Sequence, residues 1–169
     1  MRKASGWLLI ATILTIATVS CAHQATSGPD LVVNYIKLDG TSLGSWTVST
    51  QAPLAGENDA ERLHRTALYA AVQAVAGPPS ETSAIRFPTG THVLDVSITG
   101  TTATVDLSTE VTQSGGGSFG ENGEFKGLVY TLTGLPGIDA VQVNVNHQTL
   151  ETLPGGHLEL DQPLHRADF

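Results

Sequence analysis

The stretch HVLDVSITGTTATVDL, residues 92–107, decides the fold. On both sides of Gly100, apolar and polar residues alternate, which is typical of strands whose successive side chains point to opposite faces. The residues 99–101 fit a tight turn, so we predict two antiparallel strands, residues 92–99 and 102–107. Because neither strand is apolar throughout, we expect one face of the sheet to be buried and the other to be polar.

Helical periodicity precedes this hairpin. Residues 63–75 place apolar side chains at helical spacing, and Asn58 and Glu61 have the spacing of a capping box. Gly77, followed by two prolines, is a typical helix end. The sequence therefore predicts a helix that begins after Asn58 and ends near Gly77.

A second helical pattern follows a glycine-rich stretch. Its apolar residues recur at i, i+3, i+4 and i+7: Phe125, Leu128, Val129 and Leu132. Gly134 and Pro136 are expected to end this helix.

The sequence predicts two further strands and a possible third. Residues 31–38 and 140–147 read as strands, and residues 45–50 can form a short additional one. The resulting order is β-α-β-β-α-β, with that extra strand after the first. It predicts an α+β fold, a two-layer sandwich with a mainly antiparallel sheet and both helices on one face.

The N-terminus indicates export. Arg2 and Lys3 precede an uncharged apolar run, residues 7–19, that is too short to span a membrane and ends at small residues. The sequence up to Cys21 resembles the lipobox of bacterial lipoproteins, although Thr18 replaces the preferred leucine. We therefore expect residues 1–20 to be a signal peptide and Cys21 to carry a lipid. The alternative is an ordinary signal peptide that ends near a stray cysteine.

Four segments follow from this interpretation. After the signal peptide, residues 21–30 are the lipidated cysteine and a linker, residues 31–153 are one domain, and residues 154–169 are a loose tail. We expect an extracytoplasmic protein anchored to the cell membrane by the lipid on Cys21.

The charge of the chain argues against nucleic acid as a partner. The net charge is −8, and loss of Arg2 and Lys3 with the signal peptide makes it −10. A chain with this charge and no basic run is repelled by phosphate backbones.

Five short segments resemble the GerMN domain family, first named from a sporulation and germination lipoprotein. In chain order they are residues 75–79 (VAGPP), 87–91 (FPTGT), 105–108 (VDLS), 129–133 (VYTLT) and 135–141 (LPGIDAV). The resemblance covers nearly all of residues 31–150. One departure is the segment 49–51 (STQ), where the family often has a basic residue.

The resemblance implies a membrane-attached protein without enzymatic activity. Members of the family are usually lipoproteins, and their domain is similar to ring-building modules of envelope-spanning complexes. We therefore expect a non-enzymatic assembly or accessory role with an envelope protein as partner, in a complex of the sporulation, secretion or signalling type.

The apparent chemical motifs have simpler interpretations. Residues 115–120 fit G-x-G-x-x-G, but the strand that a dinucleotide fingerprint needs directly before them is missing. Asp106, Ser108 and Glu110 could form a polar cluster with His64 or His92, yet neither histidine lies in the sequence context of a nucleophile elbow. We expect no catalytic residue and no cofactor.

A group of possible metal ligands occupies the last residues of the chain. They are His157, Glu159, Asp161 and His165. Their spacing matches no zinc motif, so we expect a solvated acidic end and no metal site.

The polar face of the sheet is the candidate binding surface. It would present Asp95, Ser97, Thr102, Thr104, Asp106, Gln142, Asn144 and Asn146. Two interpretations stay open: a solvated face, or a docking surface for a protein or a cell-wall glycan. The residues we select as partner-binding candidates are Gln142, Asn144, Asn146, Thr102, Thr104 and Trp46. A receptor for a small ligand or glycan is the alternative function, and an open sheet edge could also allow self-association.

Overall fold

The computed structural model describes residues 27–80, 83–113, 117–154 and 156–169. Within these ranges the elements follow the order β-β-α-β-β-α-β. The strands are Ser27–Ile36 (β1), Leu43–Gln51 (β2), Val93–Thr99 (β3), Thr102–Leu107 (β4) and Ala140–Val145 (β5), and the α-helices are Asp59–Ala76 (α1) and Gly117–Leu132 (α2). The α+β class is confirmed. The predicted signal peptide and Cys21 lie outside the described residues, as do Gly115 and Gly116 of the glycine motif.

The strands form two sheets, so the prediction of a single sheet is wrong. The first sheet is the antiparallel pair β1-β2, and the second has the order β3-β4-β5 with a parallel β4-β5 pair. The far edge of β1 is occupied from Asn34 onward, because the Asn34 N–H donates to Thr131 Oγ1 of α2 at 2.8 Å. Further along that edge, Ile85 N–H donates to the Ile36 carbonyl at 2.8 Å. These contacts leave no place beside β1 for a strand of the second sheet.

Helix α1 has the caps that the sequence predicts. The Asn58 side chain accepts the Glu61 N–H at 2.9 Å, and the Glu61 carboxylate accepts the Asn58 N–H at 2.9 Å. Gly77 ends the helix with φ = 72°, a left-handed value that glycine adopts readily.

Helix α2 contributes much of the core. Phe125, Leu128, Val129 and Leu132 are buried, as the periodicity predicted. The helix approaches β1 closely at Gly127, where a Cβ atom would lie 3.2 Å from the Asn34 carbonyl oxygen and 3.3 Å from Tyr35 Cα. Among the described residues, no helix is long and apolar enough to cross a membrane.

The first strand begins earlier than expected. Residues 27–30, expected to belong to the linker, are the start of β1, and Ser27 pairs with Gln51 across an irregularity in the register. Strand β2 is nine residues long and therefore reaches far enough to pair with them. The domain thus includes residues 27–30.

The C-terminal residues pack against the domain, contrary to the expectation of a loose tail. Leu160 and Leu164 are buried, and Leu164 exchanges two backbone hydrogen bonds with Val141 of β5, at 2.8 and 2.9 Å. The carboxylate of Glu121 in α2 accepts the His157 N–H at 2.8 Å. Single leucines without periodicity give no sequence signal, yet here they cover the outer edge of β5.

Candidate interaction surfaces

The predicted polar residues line up in two rows across the second sheet. In the register of β3, β4 and β5, one row is Ser97, Thr104 and Gln142, and the other is Asp95, Asp106 and Asn144. Thr102 lies at the end of β4, opposite Ala140. The structure therefore brings together four of the six partner-binding candidates.

Contacts within the chain use part of this face. The Gln142 side chain donates to the Leu160 carbonyl at 2.6 Å, and Asn144 Oδ1 accepts the Thr149 hydroxyl at 2.9 Å. The fifth candidate, Asn146, follows the end of β5 and is exposed. The sequence gave no sign of the contact between Gln142 and Leu160, because residues 154–169 were expected to be a loose tail. The role of these side chains in binding a partner stays a prediction.

Asp106 is paired with a histidine that sequence analysis did not connect to it. The Asp106 side chain is only 8% exposed. Its carboxylate accepts the His147 N–H at 2.8 Å, and Oδ2 lies 2.5 Å from His147 Nδ1. Asn146 and His147 have positive φ values of 48° and 66°. The carboxylate thus stabilises a turn that residues other than glycine rarely adopt.

The other residues of the proposed polar cluster make separate contacts. Ser108 Oγ accepts the His92 N–H at 3.0 Å, and a hydrogen bond from Ser108 lowers the pKa of Glu110. His64 Nε2 lies 2.7 Å from the Val96 carbonyl oxygen. Since the partner of Asp106 is His147, the structure does not assemble the triad considered from the sequence.

The C-terminal histidines and acids also lie apart from one another. Among the described residues, no group of three or more His, Cys, Asp or Glu side chains has an arrangement that could hold a metal ion. The backbone N–H of His157 instead donates a hydrogen bond to the Glu121 carboxylate.

A groove that the sequence did not indicate runs beside β1. Its volume is about 780 Å³, and it lies between β1, the start of α1, the end of α2, the loop after α2 and Arg166. Arg166 lies over the Tyr130 ring at 5.0 Å and donates to Thr133 Oγ1 at 2.7 Å. Leu63 and Leu135 contribute apolar lining. The groove combines apolar residues with two arginines and two aspartates, of which Asp59 pairs with Arg62, and only the folded chain brings its parts together.

The edge of β1 opens into this groove at Val32. Because the Asn34 N–H points away from β2 to Thr131, the backbone groups of Val32, two residues earlier, also point away from β2. The Val32 side chain is 52% exposed. Val32 therefore offers a hydrogen-bond donor, an acceptor and an apolar surface to a bound chain.

Trp46, the sixth candidate, lies elsewhere. It belongs to β2 in the first sheet, is half-buried, and its ring centroid is 5.9 Å from that of Tyr35. It lies in a strand at the edge of the first sheet, and its role in binding a partner stays a prediction.

Comparisons with known proteins give consistent matches. The profile of the Germane family, described as sporulation and spore germination, matches residues 38–151, more than half of the chain. The tandem GerMN domains of the sporulation protein GerM from Bacillus subtilis share 23% identity with a TM-score of 0.62, covering 85% of this chain and 48% of that one. The chain therefore spans about half the length of that structure.

Two further structures share the fold. The first GerMN domain of Bacillus subtilis GerM is 24% identical with a TM-score of 0.56, over 83% of this chain and 99% of that one. A candidate lipoprotein from Clostridium perfringens is 22% identical with a TM-score of 0.53, over 83% and 89% respectively. At these identities the matches establish the fold alone. No curated protein sequence matches the chain.

Proposed function

The chain belongs to the Germane family of sporulation and spore germination domains, and from that premise we propose that it is a lipid-anchored extracytoplasmic module. It helps to assemble or regulate a cell-envelope complex by binding another envelope protein, and it catalyses no reaction.

The N-terminal sequence supports anchoring at the membrane. An uncharged apolar run ends just before Cys21, and a structural relative is itself described as a candidate lipoprotein. Only residues 22–26 separate Cys21 from the start of β1. At most ~3.5 Å per residue, this tether holds the domain within about 20 Å of the lipid headgroups. The partner must therefore expose its binding segment close to the membrane.

The groove beside β1 is the observation that carries the binding role. An extended segment of a partner can form backbone hydrogen bonds with Val32 while its side chains pack on Leu63 and Leu135. Arg62 and Arg166 on the groove wall can receive carbonyl or carboxylate groups of the same segment. Strand addition of this kind binds a peptide without a catalytic group.

Crosslinking in native membranes, followed by purification of a tagged chain, tests the proposal. We expect the wild type to enrich one envelope complex and Val32→Lys to lose it. Val72→Lys is the matched control, since Val72 is an exposed apolar residue on α1, outside the groove. Cys21→Ala removes the anchor and should lose both the membrane fraction and the enrichment. Equal enrichment by the wild type and Val32→Lys would contradict the binding role of the groove.

A receptor for a small ligand or cell-wall glycan is the second candidate. The volume of the groove, about 780 Å³, lies within the range of small-molecule sites, and Tyr130 offers an aromatic ring on its wall. Titration of the protein with soluble glycan fragments distinguishes the two functions. Saturable binding that Arg62→Ala weakens, with no protein crosslinked, would favour the receptor.

A further inference from the structure

Strand β2 presents an open edge along its whole length. Ser45 pairs with Asn34, whose N–H points away from β2, and opposite residues of an antiparallel pair share this orientation. The backbone groups of Ser45, Thr47 and Ser49 therefore point away from β1. Within the described part of the chain, no hydrogen bond joins these groups to another element.

The edges of β1, β3 and β5 are contacted by other parts of the chain at individual positions. Thr131 and residues 83–85 bond to the far edge of β1, and Leu164 covers β5. On β3, the Val96 carbonyl lies 2.7 Å from His64 Nε2. Contacts from the rest of the chain thus interrupt the edges of β3 and β5 and occupy that of β1 beyond Val32, whereas residues 45–49 of β2 form an uninterrupted open edge.

The sequence of β2 gives its edge no protection either. LGSWTVSTQ contains no charged residue and no proline, in a chain with a net charge of −8. The pairing of residues 30–36 with residues 43–49 is regular, without a bulge. Proteins usually protect exposed edges with lysine, proline, bulges or short strands. An edge that lacks all of these over residues 43–49 is suited to pairing with another strand.

We propose that two copies of this chain pair through β2, antiparallel and centred on Thr47. Since Leu43 and Gln51 are equally distant from Thr47, this register uses the full strand. Thr47 then faces Thr47 of the second copy, Ser45 faces Ser49, and Trp46 faces Val48. This pairing joins the two β1-β2 sheets into one four-stranded sheet. The pairs Ser45–Ser49, Thr47–Thr47 and Ser49–Ser45 lie at its centre and form about six backbone hydrogen bonds.

The side chains favour a second copy as the occupant. Serine and threonine pair with each other on the exposed face, and an aromatic residue pairs with a β-branched one on the other, both favourable cross-strand combinations. Trp46 and Val48 are only half-buried, so each has surface left for this contact. No charge on β2 repels a copy of the same acidic chain. A two-fold pair also closes on itself, because both copies use the same edge and no free β2 edge remains.

Disulfide trapping in membranes tests the register with the full chain. Facing residues of such a pair have Cα atoms about 5.5 Å apart, within the range of a disulfide. We expect mild oxidation to convert Thr47→Cys into a dimer of twice the mass. Ser45→Cys and Ser49→Cys should form a dimer only when expressed together. The parent chain, with Cys21 alone, measures any dimer that does not involve β2, and Ser97→Cys, exposed on β3, measures random collision.

Three results of this trapping experiment would overturn the proposal. They are a Thr47→Cys yield no higher than that of Ser97→Cys, equal trapping of Ser45→Cys by itself, or attachment of Thr47→Cys to a different protein. A Thr47→Lys substitution added to the Ser45→Cys and Ser49→Cys pair supplies a further test, because it places two lysines opposite each other. We expect it to lower the mixed dimer about fivefold or more without changing the thermal unfolding of the domain. An unchanged yield would also contradict the proposal.

Discussion

The buried carboxylate of Asp106 in β4 stabilises the left-handed turn formed by the two residues that directly follow β5, Asn146 and His147. It accepts the His147 N–H at 2.8 Å, and its second oxygen lies 2.5 Å from His147 Nδ1. The Asn146 N–H donates to the Leu107 carbonyl at 2.8 Å. The parallel pair β4-β5 is thus closed at its end by one acidic side chain.

Asp106→Ala should destabilise the domain by about 1–3 kcal/mol, because it leaves the His147 N–H without its acceptor in a turn with positive φ. Urea unfolding measures this change. Asp95→Ala is the control, since Asp95 lies in the same cross-strand row but is exposed. Equal effects of the two substitutions would mean that the Asp106 contact has no particular importance.

Glu121→Ala should release the C-terminal segment before the rest of the domain unfolds. The buried Glu121 carboxylate accepts the His157 N–H at 2.8 Å, and its loss leaves that donor unpaired. We expect faster hydrogen exchange in residues 156–164 and little change in β4. Glu159→Ala, at an exposed position of the same segment, should leave the exchange unchanged. Unchanged exchange in Glu121→Ala would show that other contacts hold the segment.

Gly127→Ala should destabilise the domain by about 1–3 kcal/mol although alanine is the better helix former. The new Cβ would lie 3.2 Å from the Asn34 carbonyl oxygen and 3.3 Å from Tyr35 Cα, and backbone atoms of β1 cannot move aside as a side chain can. Thermal unfolding measures the change. A rise in the melting temperature would show that α2 and β1 separate easily.

Glu57→Gln should make the stability of the domain less dependent on pH in acid. Hydrogen bonds from Arg65 lower the pKa of Glu57 from 4.5 to about 2. Because the pKa is lower in the folded chain, this stabilisation is present above pH 4.5 and is lost as the pH falls toward 2. Melting temperatures of the wild type and Glu57→Gln should therefore differ above pH 4.5 and converge below it. Glu159→Gln is the control, and a constant difference across this window would contradict the assignment.

Local patterns in the sequence predicted the local structure well. The turn at Gly100, the capping box of Asn58 and Glu61 and the helix end at Gly77 all depend on residues close together in the chain. The same holds for the buried side of α2. These features were predictable because each one is determined by periodicity or by a short-range hydrogen bond.

The arrangement of the sheets was not predictable in this way. Whether β1 joins the second sheet depends on Thr131, which lies 97 residues from Asn34 and gives no sign of this contact in the sequence. The groove has the same origin, since β1, Tyr130 and Arg166 come from distant parts of the chain. Leu160 and Leu164 escaped notice because two leucines without periodicity resemble an unstructured end.

A photo-crosslinking residue placed at single positions of the anchored chain, in native membranes, tests the central claim most directly. The claim predicts that position 32, in the groove, attaches to one envelope protein, while position 72 on the exposed side of α1 does not. A crosslinking residue at position 144 tests the polar face of the second sheet in the same experiment. Attachment of that protein from position 144 but not from position 32 would contradict binding in the groove. If no position attaches a protein and glycan fragments bind, the assembly role itself is wrong.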